Sequence, residues 1–298
     1  MPNHITNRLT IIVNEHTLFK QEELLRIRKE IRGEEADRYI DFHKIAPIPK
    51  ELEGTVSPMR IISQEEYDIQ ENKIATNDLT ENEKNWGISR GLTQALADEY
   101  KAKFGHCDWY GWQTANWGTK WNGYDQYSDD DNVIEFNTAW STPYSLLVNL
   151  SKKYPQATFE VEYADEDFGY NVGKYVLVNG ETIDENIPDG GTQEAIEMAM
   201  DIKGDDEYYL ESYLVDEADE EEDGELNSFV ENLIQIAHER KYLLEDYPII
   251  VLNKLKELAL ADEQFERIIE IDRLLTAKDT KDDEDYQSGL LYGVDNNQ

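Results

Sequence analysis

One cysteine, Cys107, is present in 298 residues, so no intrachain disulfide can form and a disulfide-stapled secreted scaffold is excluded. No apolar run approaches the ~18 residues that span a bilayer. A basic amino-terminal region followed by an unbroken apolar stretch, the mark of a signal peptide, is also lacking. These absences place the chain, as an expectation, in a reducing cytoplasm. Histidine is scarce too. His4, His16, His43, His106 and His238 are scattered, with neither HxxxH nor CxxC spacing for a metal site. The aspartates of 129–131 and the acids of 165–167 lack the glycine and terminal glutamate of a calcium loop. Gly169, Gly173 and Gly180 are too dispersed to cradle a phosphate. His106 and Cys107 are the one pair in which a His adjoins a Cys or Ser, and neighbours on a strand point to opposite faces. The expectation is therefore a protein that is not an enzyme and uses no cofactor and no metal.

Positive charge is the scarcest commodity. Twenty-eight Lys and Arg face 65 Asp and Glu, a formal net charge of −37. Such a surface repels nucleic acid, whose duplex carries a negative charge every ~1.7 Å of axis, and it avoids anionic lipid. It attracts basic proteins and raises encounter rates with them. Simple solubility is the competing account, although a net charge of about 2 to 8 in magnitude serves a small domain.

What the chain has in plenty is tryptophan in one place. Residues 107–142 hold five of the six: Trp109, Trp112, Trp117, Trp121 and Trp140. Each aromatic side chain buries roughly 150 to 250 Å², so most of these rings must pack on something. They read as a plug against a sheet face, with Asn116, Gly118, Asn122 and Gly123 shaping a loop between the rings.

Around this stretch the periodicity alternates. Residues 5–13 read as a strand. Thr17 caps a helix whose apolar positions Leu18, Leu24, Leu25, Ile27 and Ile31 share a face, and Tyr39–Ile45 reads as a second strand closed by Pro47 and Pro49. The polar run 65–84 suggests helix plus loop, and 88–104 a helix ending at Gly105. Residues 133–138 read as a strand, Pro143 opens a helix that Pro155 stops, 157–163 alternate as a strand, and 169–178 should pair with it. The sum is an α+β class: a ferredoxin-like split β-α-β antiparallel sheet with a helical insertion, plus an α-helical C-terminal region. The expected limits are 1–203 for the α+β domain with an inserted segment 50–105, 204–224 for an acidic linker or loop, and 225–298 for the helices. Residues 205–223 hold eleven acids and no base, yet Tyr208, Tyr209, Leu210, Tyr213, Leu214 and Val215 interleave with them and could form one buried face.

The string Asn116-Trp117-Gly118-Thr119-Lys120-Trp121-Asn122, the pair Tyr124-Asp125, the string Phe136-Asn137-Thr138-Ala139-Trp140-Ser141 with Pro143, the opening 1–9 and Phe42-His43-Lys44-Ile45 together carry a likeness. In them roughly residues 1–180 resemble the YubB-type (Api-like) ferredoxin-like domain family of phage and plasmid proteins. The resemblance implies the fold and a mobile-element source, and it supplies no settled catalytic activity to carry onto these residues.

Three functional readings follow. In the first, the chain is a phage or mobile-element interaction protein that binds a basic surface on a host defence complex, such as a DNA-binding nuclease or restriction system. It does so as a DNA mimic, with carboxylates standing for phosphates. Glu217, Asp219, Glu220, Glu221, Glu222 and Asp223 would carry the contact, with Asp129, Asp130 and Asp131 as a second patch. In the second, Trp109, Trp112, Trp117, Lys120 and Trp121 wall a site for a small ligand or nucleotide. In the third, the C-terminal helices build a homo-oligomeric structural protein. Direct nucleic-acid or membrane binding belongs to none of them.

Overall fold

The computed structural model describes residues 2–13, 20–81, 84, 89–204, 206–216, 228–243 and 247–292. It divides into two units, 1–166 with 173–186, and 167–172 with 187–298. The first is built on β1 (His4–Val13), in which Ile5, Asn7, Leu9, Ile11 and Val13 alternate inward. Helix α1 (Lys20–Ile31) follows and lays Leu24, Ile27 and Ile31 against that face.

The chain then leaves the sheet for some ninety residues. Tyr39–Ile45, expected as a strand, instead makes a single helical turn, α2 (Phe42–Ile45). The reason is local: the Asp41 carboxylate accepts the His43 N–H and caps the turn. Helix α3 (Gln64–Ala75) starts at a reciprocal capping box between Ser63 and Glu66. Helix α4 (Gln94–Phe104) begins later than the sequence suggested. Arg90 and Leu92 are held extended, Arg90 N–H bonding to Gly54 and Leu92 N–H to Arg60, and Thr93 caps the helix only after them. Gly105 ends it, as expected.

The tryptophan stretch is also helical where a loop was expected. Helix α5 (Trp109–Trp117) is capped by Asp108, whose carboxylate accepts the Gly111 N–H, and is closed by Gly118 at φ +84°. A Cβ on Gly118 would sit 3.1 Å from the Tyr144 nitrogen, so both the turn and the close approach select glycine.

Strand β2 (Tyr124–Tyr127), hairpin partner β3 (Val133–Ala139), helix α6 (Tyr144–Lys153) and strands β4 (Ala157–Asp165), β5 (Gly173–Val178) and β6 (Glu181–Asn186) complete the unit. The sheet order is β2-β3-β1-β4-β5-β6. Its first four strands make the ferredoxin-like arrangement, an antiparallel sheet in which β1 lies between β3 and β4. The second strand of the split fold is thus β2, not Tyr39–Ile45, so the insertion runs from the end of α1 to β2, well beyond 50–105. Strand β6, whose acids and exposed Ile183 conceal its alternation, was not expected. Helix α6 adds Leu146, Leu147 and Leu150 to the core, while the sheet's other face carries His4, Thr6, Arg8 and Thr10 half-buried. Arg8 bridges Glu135 at 2.9 Å and Glu162 at 3.4 Å there.

In the second unit, residues 167–172 belong with the helices because Phe168 stacks on Tyr209 at 4.2 Å and Tyr170 on Phe229 at 5.8 Å. Helix α7 (Gln193–Lys203) also falls in this unit, so the division lies at 186 and not at the expected 203. Helix α8 (Asp206–Asp216) takes up much of the segment expected as an acidic linker, with Leu210 and Leu214 buried. Helices α9 (Ser228–Glu239), α10 (Ile249–Ala261) and α11 (Phe265–Tyr292) bury Leu233, Ile236, Leu252, Leu255 and Ile271. Thr17 lies outside the described residues.

Two outcomes test this architecture. Trp117 is fully buried and its indole N–H donates to the Ala46 carbonyl at 2.8 Å, so Trp117→Ala should cost about 3 to 5 kcal/mol in urea unfolding. Burial first, and the neighbouring Tyr163 and Tyr144 after it, push the Tyr175 phenol above its ordinary value of 10.0, against the bond to Thr142. A tyrosine raised in the fold adds stability that is full below pH 10.0 and is lost as pH climbs toward the folded value. Tyr175→Phe should therefore flatten the alkaline fall in stability, read by chemical unfolding between pH 9 and about pH 11.

Candidate functional site

The five clustered tryptophans separate into two groups. Trp112 and Trp117 meet edge to face at 6.2 Å, and Phe42 and His43 stand edge-on to Trp117 at 5.6 and 5.0 Å. Trp109, half-buried, packs on the same core. These three are structural filling. Trp121 and Trp140 are different, being 38% and 45% exposed. Between them stands Lys120, its Nζ 4.6 Å from the Trp121 ring centre and 4.8 Å from that of Trp140. The expected wall of Trp109, Trp112, Trp117, Lys120 and Trp121 is therefore not one surface: three members face the core, and Lys120 and Trp121 face outward with Trp140.

Sequence position explains how these side chains meet. His4 opens β1 and pairs with Ala139, the last residue of β3, while Tyr124 opens β2 and pairs with Asn137. All three strands thus reach the same end of the sheet. The Tyr124 hydroxyl lies 2.6 Å from His4 Nδ1, and Trp121 stands edge-on to Tyr124 at 6.5 Å. Burial pushes the Tyr124 phenol up, and the charges of Asp125 and Glu166 add to it. Below the surface Thr138 accepts from the Asn7 amide at 2.8 Å and donates to the Ser141 carbonyl at 2.8 Å. The Ser141 hydroxyl reaches the Gly118 carbonyl at 2.5 Å and that of Thr119 the Ala139 carbonyl at 2.7 Å. This lattice fixes the turn that presents Trp140.

Trp140 itself holds φ at +68°. That region is a steric outlier for a bulky residue and is tolerated only where the surroundings impose it. A glycine would fit without strain, so the indole is kept at a conformational cost. His4, Tyr124 and Trp140 were absent from the expected wall. The signal for them was present: each belongs to one of the separated strings that carry the family likeness, and the fold gathers those strings at one end of the sheet.

The acidic candidates lie elsewhere. Asp129, Asp130 and Asp131 occupy the β2–β3 turn, at the far end of the strands from Trp140, and are exposed. Gln21 donates to Asp131 at 3.1 Å, and Arg28 reaches Ser128 and the Val133 carbonyl beside them. Glu217, Asp219, Glu220, Glu221, Glu222 and Asp223 lie outside the described residues. Charge itself is uneven along the chain: residues 187–298 hold 32 Asp and Glu against nine Lys and Arg. Among the described residues, no three His, Cys, Asp or Glu are grouped to hold a metal ion, and no helix is long and apolar enough to cross a membrane.

Comparison with known proteins agrees with the sheet topology. Residues 116–230 match the family described as the ferredoxin-like domain in Api92-like protein. The match takes in β2 to β6, the helices α6 to α8 and the start of α9. A crystal structure of the protein Api92 from Yersinia pseudotuberculosis aligns at 14% identity, covering 63% of this chain and 98% of its own, with a TM-score of 0.32. That score is too low to argue from. No curated protein matches.

The division of the rings is open to measurement. Replacing Trp121 and Trp140 together by Phe should remove a solvent-accessible component of acrylamide quenching. Replacing Trp112 by Phe should leave that component in place, because its ring is 8% exposed.

Proposed function

We propose that this protein is a non-enzymatic binding module whose partner is a cationic protein surface. The observation that carries the reading is the distribution of charge: −37 in all, with 32 carboxylates against nine bases in residues 187–298. Most of this excess has no cation of its own chain to pair with, since the whole protein has 28. Unpaired carboxylates on a folded scaffold repel one another and destabilise it. That cost is recovered when Lys and Arg of a partner meet them, and the long-range field accelerates the encounter.

The finer reading is that of a phage or plasmid protein in the host cytoplasm that occupies the DNA-binding face of a nuclease or restriction complex. The resemblance to the YubB-type family supports the source, and the excess of carboxylates, which would stand in for phosphates, supports the mimicry. Glu217, Asp219, Glu220, Glu221, Glu222 and Asp223 remain the proposed contact, with Asp129, Asp130 and Asp131 as the second patch.

Capture of host proteins from a bacterial extract, compared at low and high salt, tests this. The expected outcome is a basic partner retained at low salt and shed at high salt, since screening shortens the field to about 3 Å at 1 M. Replacing the six acids at 217 and 219–223 by Lys should abolish retention. Unchanged retention and unchanged salt dependence after that reversal would sink the proposal.

A further inference from the structure

The pair Trp121 and Trp140 is the feature that the charge argument leaves unused. In a chain where acids outnumber bases by 65 to 28, Lys120 makes no ion pair among the described residues and stands between two indole faces instead. Indole faces carry the negative end of a quadrupole and attract cations. The two rings with an ammonium between them are the geometry of an aromatic cage holding its cation, here one supplied by the chain itself. The setting is built for that charge. The backbone at Trp140 is held at φ +68°, and Asp125 and Glu166, both exposed, lie close enough to act on Tyr124, which itself meets Trp121.

We infer that Trp121 and Trp140 form a clamp for a guanidinium of the cationic partner, with Lys120 as the resident placeholder that an arriving Arg displaces. The inference rests on the cationic-partner reading above and names one anchor within it. Arg is the better fit than Lys: its planar group stacks on an aromatic face and is more weakly hydrated than an ammonium, so leaving water costs it less. Displacement frees the Lys120 ammonium to return to water at small cost, since an exposed cation–π contact is worth about 0.5 to 1 kcal/mol. Half-exposed tryptophans of this kind are also the side chains in which interface binding energy concentrates.

The opposite ligand, a planar anion such as a nucleotide, would use Lys120 as its binding group, and the sign of one substitution separates the two. Calorimetric titration of the full chain with a blocked hexa-arginine peptide, a matched hexa-lysine peptide and ADP provides the test. The clamp predicts tighter binding of the arginine peptide than of the lysine peptide. Trp121→Ala or Trp140→Ala should erase that preference, a loss of about five-fold per ring. Lys120→Met, which removes the competing cation, should strengthen the arginine peptide. Thermal melting of each variant guards against loss of fold, and Lys120→Met, at a half-buried position where an apolar side chain of similar length is accommodated, gives an answer even where a Trp variant unfolds.

If the Trp variants keep the preference, or Lys120→Met weakens the arginine peptide, the clamp is wrong. ADP binding that Lys120→Met abolishes would overturn it in favour of an anion site. If both peptides bind without preference, and the Lys reversal at 217 and 219–223 still abolishes their binding, the clamp falls while the cationic-partner reading stands. Absence of any peptide binding at low salt would remove both.

Discussion

Strand β1 is hydrogen-bonded along its length on both sides, to β3 in one direction and to β4 in the other. Everything in the first unit depends on that double pairing. Because side chains alternate with a period of two, the register that buries Ile5, Leu9 and Ile11 also fixes which residues of β3 and β4 face the helices. Asn7 reinforces the choice. Its buried amide donates to Thr138 across the β1–β3 ladder, and a slip of one residue would break that bond between two buried polar groups.

The long insertion is the second constraint. Among the described residues, a helical turn and the helices α3, α4 and α5 stand between α1 and β2, and they must reach the sheet without opening its core. Trp117 does this: its ring fills the space beside Phe42 and its N–H finds the Ala46 carbonyl, so insertion and tryptophan helix are joined by one side chain. The same sequence stretch then turns outward at Gly118, and within four residues the chain passes from a ring with no exposure to one well exposed. Structural filling and surface display are thus adjacent in sequence, and only the helix cap separates them.

Charge acts on a different scale. Ion pairs such as Arg8 with Glu135 and Glu162 engage at least eleven of the 28 bases. Exposed pairs contribute little to stability, ~0 to 1 kcal/mol each, so the imbalance does not serve the fold. In the proposed reading it acts at long range, where a field selects partners by sign without specifying which residue meets which. Specificity would then need short-range chemistry, which the proposed clamp of Trp121 and Trp140 would supply.

The periodicities of β1, α1, α6 and β4 were legible because each presents one clean apolar face, and the helices from Phe229 onward were legible for the same reason. Composition alone decided the absence of disulfides and the acidic surface. Tertiary structure decided the rest. Tyr39–Ile45 has strand-forming residues, but a capping carboxylate outweighs propensity over so short a run. Strand β2 was hidden because its four residues gain their place from pairing with β3, and β6 because an edge strand can keep its charges in water. Which tryptophans are buried is not written in their spacing, since exposure depends on what arrives from distant segments: Phe42 for Trp117, and among the described residues no such ring for Trp140. A sequence fixes local preferences residue by residue, whereas a site is a set of distances between residues far apart in the chain, and those exist only once the sheet has closed its register.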